Sequence, residues 1–170
     1  MAGSHHPEAT ILRAPASGDG EVTTLRDSSL AFDHPKLIAV RDVWRARADG
    51  RGMIARAELT ARDLAPCLRN LAILDVMPPS DRPRYRYRYV GTSLVEIYGE
   101  ATGHYVDELI PAEYLPRWNA GYDAVIAARH PLRVLTRHNL PEVSHLQSES
   151  FATPLSDDGH TVNMLLIVSY

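Results

Sequence analysis

The sequence predicts an α+β domain: a five-stranded antiparallel sheet with short helices over one face, preceded by a helical extension. Three observations predict it. Residues 84–89 alternate arginine and tyrosine without exception, a period of two that belongs to an extended strand. Two stretches, 36–48 and 112–128, repeat apolar residues at steps of three and four, the period of a helix. Three extended segments then follow one another up to residue 170, the last carrying the run Met164-Leu165-Leu166-Ile167-Val168.

At 170 residues, with 45% apolar and 23% charged residues, the chain has the composition of one globular domain with a true core. Its formal net charge of -3 gives no global field that would gather nucleic acid or an anionic membrane. Its single cysteine, Cys67, excludes an intramolecular disulfide framework and a cysteine metal cluster. No apolar run reaches the ~20 residues of a membrane span, and no secretory h-region opens the chain. A cytoplasmic location is the expectation.

Taken in order, residues 1–32 mix Gly, Ser, Ala, Pro and scattered charges and are expected to be a flexible tail. Gly3-Ser4-His5-His6 fits either a native start or a cloning remnant. Residues 33–70 read as the helical extension. Asp33 is the expected N-cap of a helix from Lys36 to Ala48, with Pro35 in its first turn and Leu37, Val40 and Trp44 on its apolar stripe. That stripe either covers the domain's own sheet or forms a homodimer interface. Asp63 is the expected cap of a second helix, with Pro66 in its first turn.

Residues 71–170 read as the sheet domain. Leu71–Met77 is its first strand, Pro78–Pro83 a turn, and Arg84–Val90 the antiparallel partner, which sets Asp75 near Arg86 or Arg88. Gly91-Thr92 breaks that strand, and a short helix ends at Gly99. Short turns lead to the helix 112–128, lined by Tyr114, Leu115, Trp118, Tyr122, Val125 and Ile126. Leu132–His138, Leu146–Thr153 and Thr161–Tyr170 are the closing strands, the last two joined by a turn at Pro154–Gly159.

The order of hairpin, helical connector and three-strand meander resembles a PAS domain, and more narrowly the stand-alone single-domain bacterial PAS family. The residues that carry the resemblance are the Trp44 helix, Leu71–Met77, and Tyr85-Arg86-Tyr87-Arg88-Tyr89-Val90-Gly91-Thr92-Ser93-Leu94. Gly99, Thr102-Gly103 and Leu109 continue it. The resemblance implies a sensory or regulatory module in bacterial signalling. Such a module binds a small molecule or pairs with another protein, and its output passes to a separate signalling protein or through a homodimer.

On this reading Tyr85, Tyr87 and Tyr89 point inward. With Leu94, Tyr98, Tyr105, Trp118 and Tyr122 they either line a ligand pocket or fill a core outright. No catalytic residue stands out: there is no Gly-x-Ser-x-Gly, no His-Glu-x-x-His and no phosphate loop. A non-enzyme is therefore expected, the alternative being a cone-shaped ketosteroid-isomerase-like enzyme or ligand-binding protein using Tyr87 and Asp75. The cofactor is left open. A flavin–thiol adduct is disfavoured because Cys67 precedes the first strand, and haem because it would rest on a lone His104 or His130. His130, His138 and His145 lack the spacing of a metal site, so no metal is expected. Nucleic acid is excluded as a partner, since alternation puts the tyrosines and arginines on opposite faces; no membrane insertion is expected.

Overall fold

The computed structural model describes residues 22–78, 84–138 and 147–170. Their centre is a single antiparallel sheet of six strands: β1 (Val22–Asp27), β2 (Leu71–Met77), β3 (Arg84–Val90), β4 (Leu132–His138), β5 (Gln147–Leu155) and β6 (Met164–Ser169). They lie in the order β1-β4-β5-β6-β2-β3. Strands β2 to β6 have the expected layout, with the β2–β3 hairpin joined to the β4–β5–β6 meander through the pairing of β2 with β6.

The sixth strand corrects the expected tail. Val22–Asp27 pairs residue for residue with β4, from Val22 opposite His138 to Asp27 opposite Arg133. Leu30 and Phe32 then enter the core. A short segment with one leucine between threonines and charges carries little pattern of its own, and its order comes from an available sheet edge. Residues 1–21, residues 79–83, where a turn is expected, and 139–146, which include His145 and the expected start of β5, lie outside the described residues.

Helices cover both faces. On one lie α1 (Pro35–Ala48), a 3-10 turn at Arg56–Glu58, α2 (Ala61–Leu64) and a 3-10 segment at Ala65–Asn70. Here Leu37, Trp44, Leu59 and Leu64 pack with Ile73, Phe151, Leu166 and Val168. The stripe expected as an interface is thus spent inside the chain: Leu37 is fully buried, Trp44 is 7% exposed against the Phe151 ring, and Val40 packs on the same cluster. Two caps also differ from expectation. His34, not Asp33, caps α1, its Nδ1 accepting from the Lys36 N–H at 3.3 Å. Thr60 caps α2, and Asp63 is the third residue of a capping box that returns a hydrogen bond to the Thr60 N–H.

On the other face lie α3 (Thr92–Tyr98), α4 (Val106–Leu109) and α5 (Leu115–Ala128). Pro116 in the first turn explains why α5 starts at Leu115 rather than Ala112. Their cluster joins Leu74, Tyr85, Tyr87, Leu94, Val106, Tyr122 and Val125 to Leu132, Ala152 and Leu165. Strand β5 continues through Pro154 and Leu155, where a turn was expected. β4 stops pairing at Ala152, so the proline lies beyond that ladder and faces Leu165 of β6.

Gly91 joins β3 to α3 at the tightest backbone approach in this layer. A Cβ there would lie 2.2 Å from the Leu68 carbonyl oxygen and 2.4 Å from that of Arg69. Both obstacles are main chain and cannot rotate away, so Gly91→Ala is expected to cost about 3 kcal/mol, at the upper end of overpacking penalties. Urea unfolding followed by circular dichroism measures it; a variant as stable as the parent would show that the two segments separate freely.

Candidate ligand cavity

The Arg/Tyr strand keeps its alternation for only part of its length. Leu74 faces Tyr87 while the adjacent Ile73 faces Tyr89, so β3 carries one extra residue, Arg88, in a β-bulge. A bulge reverses the parity of the residues beyond it. Tyr85 and Tyr87 point into the cluster beneath α5, and Tyr89 turns to the opposite face, its hydroxyl donating to the Leu68 carbonyl at 3.1 Å. The arginines stay outside as expected. Arg84 is bidentate to Asp107, Arg86 donates to the Gly103 carbonyl, and Arg88 donates to Asp75 at 2.7 Å. Residues 103 and 104 also bond the Tyr87 backbone, which covers this sheet edge.

Over β3 the tyrosines fill the space themselves. The Tyr85 and Tyr122 rings lie 4.8 Å apart, the Tyr87 and Tyr122 hydroxyls are 3.2 Å apart, and Tyr85 donates to Asp123. Burial pushes the Tyr87 phenol up to about 12 and Tyr122 well above the usual value, so both remain neutral hydrogen-bonding groups. Tyr105 lies elsewhere, beneath the Arg84 guanidinium at 3.9 Å, and Leu94 is a core residue.

The cavity opens beside this filled core, over β1, β4, β5 and β6. Its volume is about 260 Å³. Strand register builds its floor in rows: Thr24 faces Thr136, which faces Ser148; Arg26 faces Val134, which faces Ser150, which faces Ser169. Ser150 and Ser169 share a hydrogen bond at 2.7 Å. The roof is α5, with Tyr114, Trp118, Tyr122 and Val125 above the hydroxyl rows, while Tyr98 of α3 closes one side. Tyr98 meets the Trp118 indole edge-on at 6.3 Å, and Trp118 leads to Tyr122 at 6.2 Å.

Of the eight side chains expected to line a pocket, three do so: Tyr98, Trp118 and Tyr122. Tyr85, Tyr87 and Leu94 belong to the core cluster and do not line it, Tyr85 and Tyr87 meeting it only through Tyr122, while Tyr89 and Tyr105 stand apart from it. Missed from sequence were the hydroxyl rows, Arg26, Arg117 and Gly121. Gly121 had a readable signal, since a glycine inside a helix costs about 1 kcal/mol relative to alanine and calls for a reason. The reason is room. A Cβ at Gly121 would meet nothing within 4 Å except the tip of Arg26, at 4.0 Å.

The remaining candidates lie away from the cavity. Cys67 is buried on the opposite face of the sheet, its thiol donating to the Leu64 carbonyl and pushed up to about 11 by burial. It cannot reach an occupant of this cavity. His104 is a half-exposed partner of Glu108, and His130 bonds the Pro131 carbonyl. Asp75 and Tyr87 lie on opposite faces of the hairpin, so they cannot serve one reacting centre as the cone-enzyme alternative requires. Among the described residues no group of three or more His, Cys, Asp or Glu is placed to hold a metal ion, and no helix is long and apolar enough to cross a membrane.

No protein-family model matches the chain, and no curated protein matches it. Among solved structures, it is similar to an RNA-binding Light-Oxygen-Voltage receptor, with 14% sequence identity and a TM-score of 0.40. The similarity covers 89% of this chain and 38% of the receptor's, so the chain spans well under half of that protein's length.

Proposed function

We propose that this chain is a PAS-like sensory or regulatory module, without catalytic activity of its own, whose input is a small organic molecule held between α5 and the sheet. The observation that carries this reading is the vacant space under Gly121: a helix that forgoes a side chain at the point where it crosses hydroxyl-bearing strands. A wall of aromatic rings facing a few fixed polar groups is the usual make-up of a small-molecule site. The described residues lining it include no carboxylate, imidazole or thiol, so among them no general base stands beside the serine and threonine hydroxyls to activate one. A signalling output fits the architecture because α5 and α3 touch the occupant directly. A ligand that favours one position of these helices biases whatever protein, or second copy of the chain, reads their outer surface.

Gly121→Leu tests the reading. The side chain fills the cavity and also removes a helix-breaking residue, so its melting midpoint is expected to stay level or rise. Native mass spectrometry of the freshly purified parent is expected to show a bound small molecule, or to show uptake from a mixed small-molecule library, with both lost in the variant. A variant that binds as the parent does would place the ligand elsewhere.

A further inference from the structure

The charge around the cavity is one-sided. Arg26 of β1 and Arg117 of α5 both line it, from the floor and from the roof, and neither has a carboxylate within ion-pair distance among the described residues. Arginines on the hairpin strand β3 are matched: Arg84 to Asp107 at 2.8 Å and Arg88 to Asp75 at 2.7 Å. Among the described residues no Asp or Glu lines the cavity to balance the pair. The Arg26 guanidinium reaches to within 4.0 Å of the vacant Cβ position of Gly121, so it lies along the opening left by that glycine. Deeper in, the walls change character to Tyr122, Val125, Val134 and Ile167.

Building on the small-molecule reading above, we infer that the occupant is a small organic anion, an aryl or alkyl carboxylate, with its apolar body under Trp118 and Tyr122 and its head group between Arg26 and Arg117. Each part of the site fits one part of such a molecule. Guanidinium groups match a carboxylate in geometry as well as charge, and they are less strongly hydrated than an ammonium. The aromatic roof and Val125 take the hydrocarbon. Ser150 and Thr136 supply hydroxyl donors between the two zones. A cavity of about 260 Å³ falls below the ~300–1,000 Å³ of typical drug-sized ligand sites, which selects a compact molecule with one ring or a short chain. Arg26 belongs to the strand outside the five expected from sequence, so β1 contributes ligand chemistry as well as an edge.

Phenylbutyrate and phenylbutanol share a skeleton and differ in the head group. Titration calorimetry on the native chain is expected to show the carboxylate binding about tenfold or more tightly than the alcohol, with that advantage shrinking as salt is added. In the double variant Arg26→Met/Arg117→Met, the carboxylate is expected to fall to the affinity of the alcohol, while the alcohol is unaffected. Equal binding of both probes to the native chain would overturn the anion inference and leave the small-molecule reading intact. A carboxylate preference that survives the double variant would likewise overturn it. Binding of neither probe at millimolar concentration, together with an empty cavity by native mass spectrometry, would remove both readings.

Discussion

Trp44→Arg is expected to unfold the chain rather than to divide a dimer. Trp44 is 7% exposed and leans on the Phe151 ring at 6.3 Å, in a layer where Leu37, Leu166 and Val168 are essentially closed to solvent. Removing a buried tryptophan side chain costs about 3–5 kcal/mol from lost burial and the cavity left behind. Placing a guanidinium there adds a desolvation penalty of several kcal/mol, because the nearby carboxylate, Asp63, is already held by Arg47 and Thr60. A domain of this kind has roughly 5–15 kcal/mol in total, so the variant is left marginal or unfolded. Trp44→Phe, which keeps a ring at the site, is the control and should remain cooperative in urea. The indole N–H has no hydrogen-bond partner among the described residues, so the phenylalanine loses volume but none of those bonds. A soluble, cooperatively folding Trp44→Arg chain of reduced hydrodynamic size would show that the stripe faces a second copy after all.

The two faces of this sheet differ in how far the sequence discloses them. Helical spacing in α1 and α5 and the strand limits of β2, β3 and β4 follow from local pattern, and the structure reproduces them to within a few residues. Tyr89 does not follow. The alternation through residues 84–89 is unbroken in the sequence, yet the bulge at Arg88 is a property of the pairing with Ile73 and Leu74, which lies in another segment. Strand β1 is similar: its place depends on β4 having an unpaired edge. Aromatic residues announce apolar surfaces, so the sequence offers the tyrosines as either pocket lining or filled core, and over β3 they are the latter. The cavity's floor is made of Thr136, Ser148 and Ser150, whose alternation reads as a solvated strand until α5 is known to lie across it. Phe151, one position away, faces the opposite core. Tyr98, Trp118 and Tyr122 are the expected residues that do reach it, and Gly121 carries a signal, a glycine inside a helix, that points to the same place.

Glu149→Ala is expected to be the most damaging single change outside the apolar cores, and the damage should depend on pH. The Glu149 carboxylate is 7% exposed and accepts hydrogen bonds from the backbone N–H groups of Asp33 and His34, at 3.0 and 2.8 Å, where the chain enters α1. Arg133 donates to it at 2.6 Å and reaches on to Asp33 at 2.8 Å and Asp27 at 3.6 Å. One carboxylate therefore ties β5 to β4 and to the start of the helix that covers the sheet. Removing it leaves two backbone donors unpaired and takes from a nearly buried guanidinium its shortest partner, with Asp33 and Asp27 still beside it, a loss of about 2–4 kcal/mol. Arg133→Met should cost less, since Glu149 keeps its two backbone donors, and the double variant should cost little more than Glu149→Ala alone because the groups act as a unit. Burial works to raise the Glu149 pKa, but the N–H groups of His34 and Asp33 and the Arg133 guanidinium outweigh it and hold it below the usual value. A carboxyl more acidic folded than unfolded stabilises fully above its unfolded pKa of about 4.3, and that contribution disappears as pH falls through the folded value. Asp63, lowered to about 2 by the Arg47 guanidinium and the Thr60 cap, adds to the same acid limb. Urea midpoints should thus be flat near neutrality and decline below about pH 4, with a shallower decline in Glu149→Ala than in the parent. Parallel declines in the two proteins would mean that the Glu149 carboxylate is not preferentially ionised in the native fold.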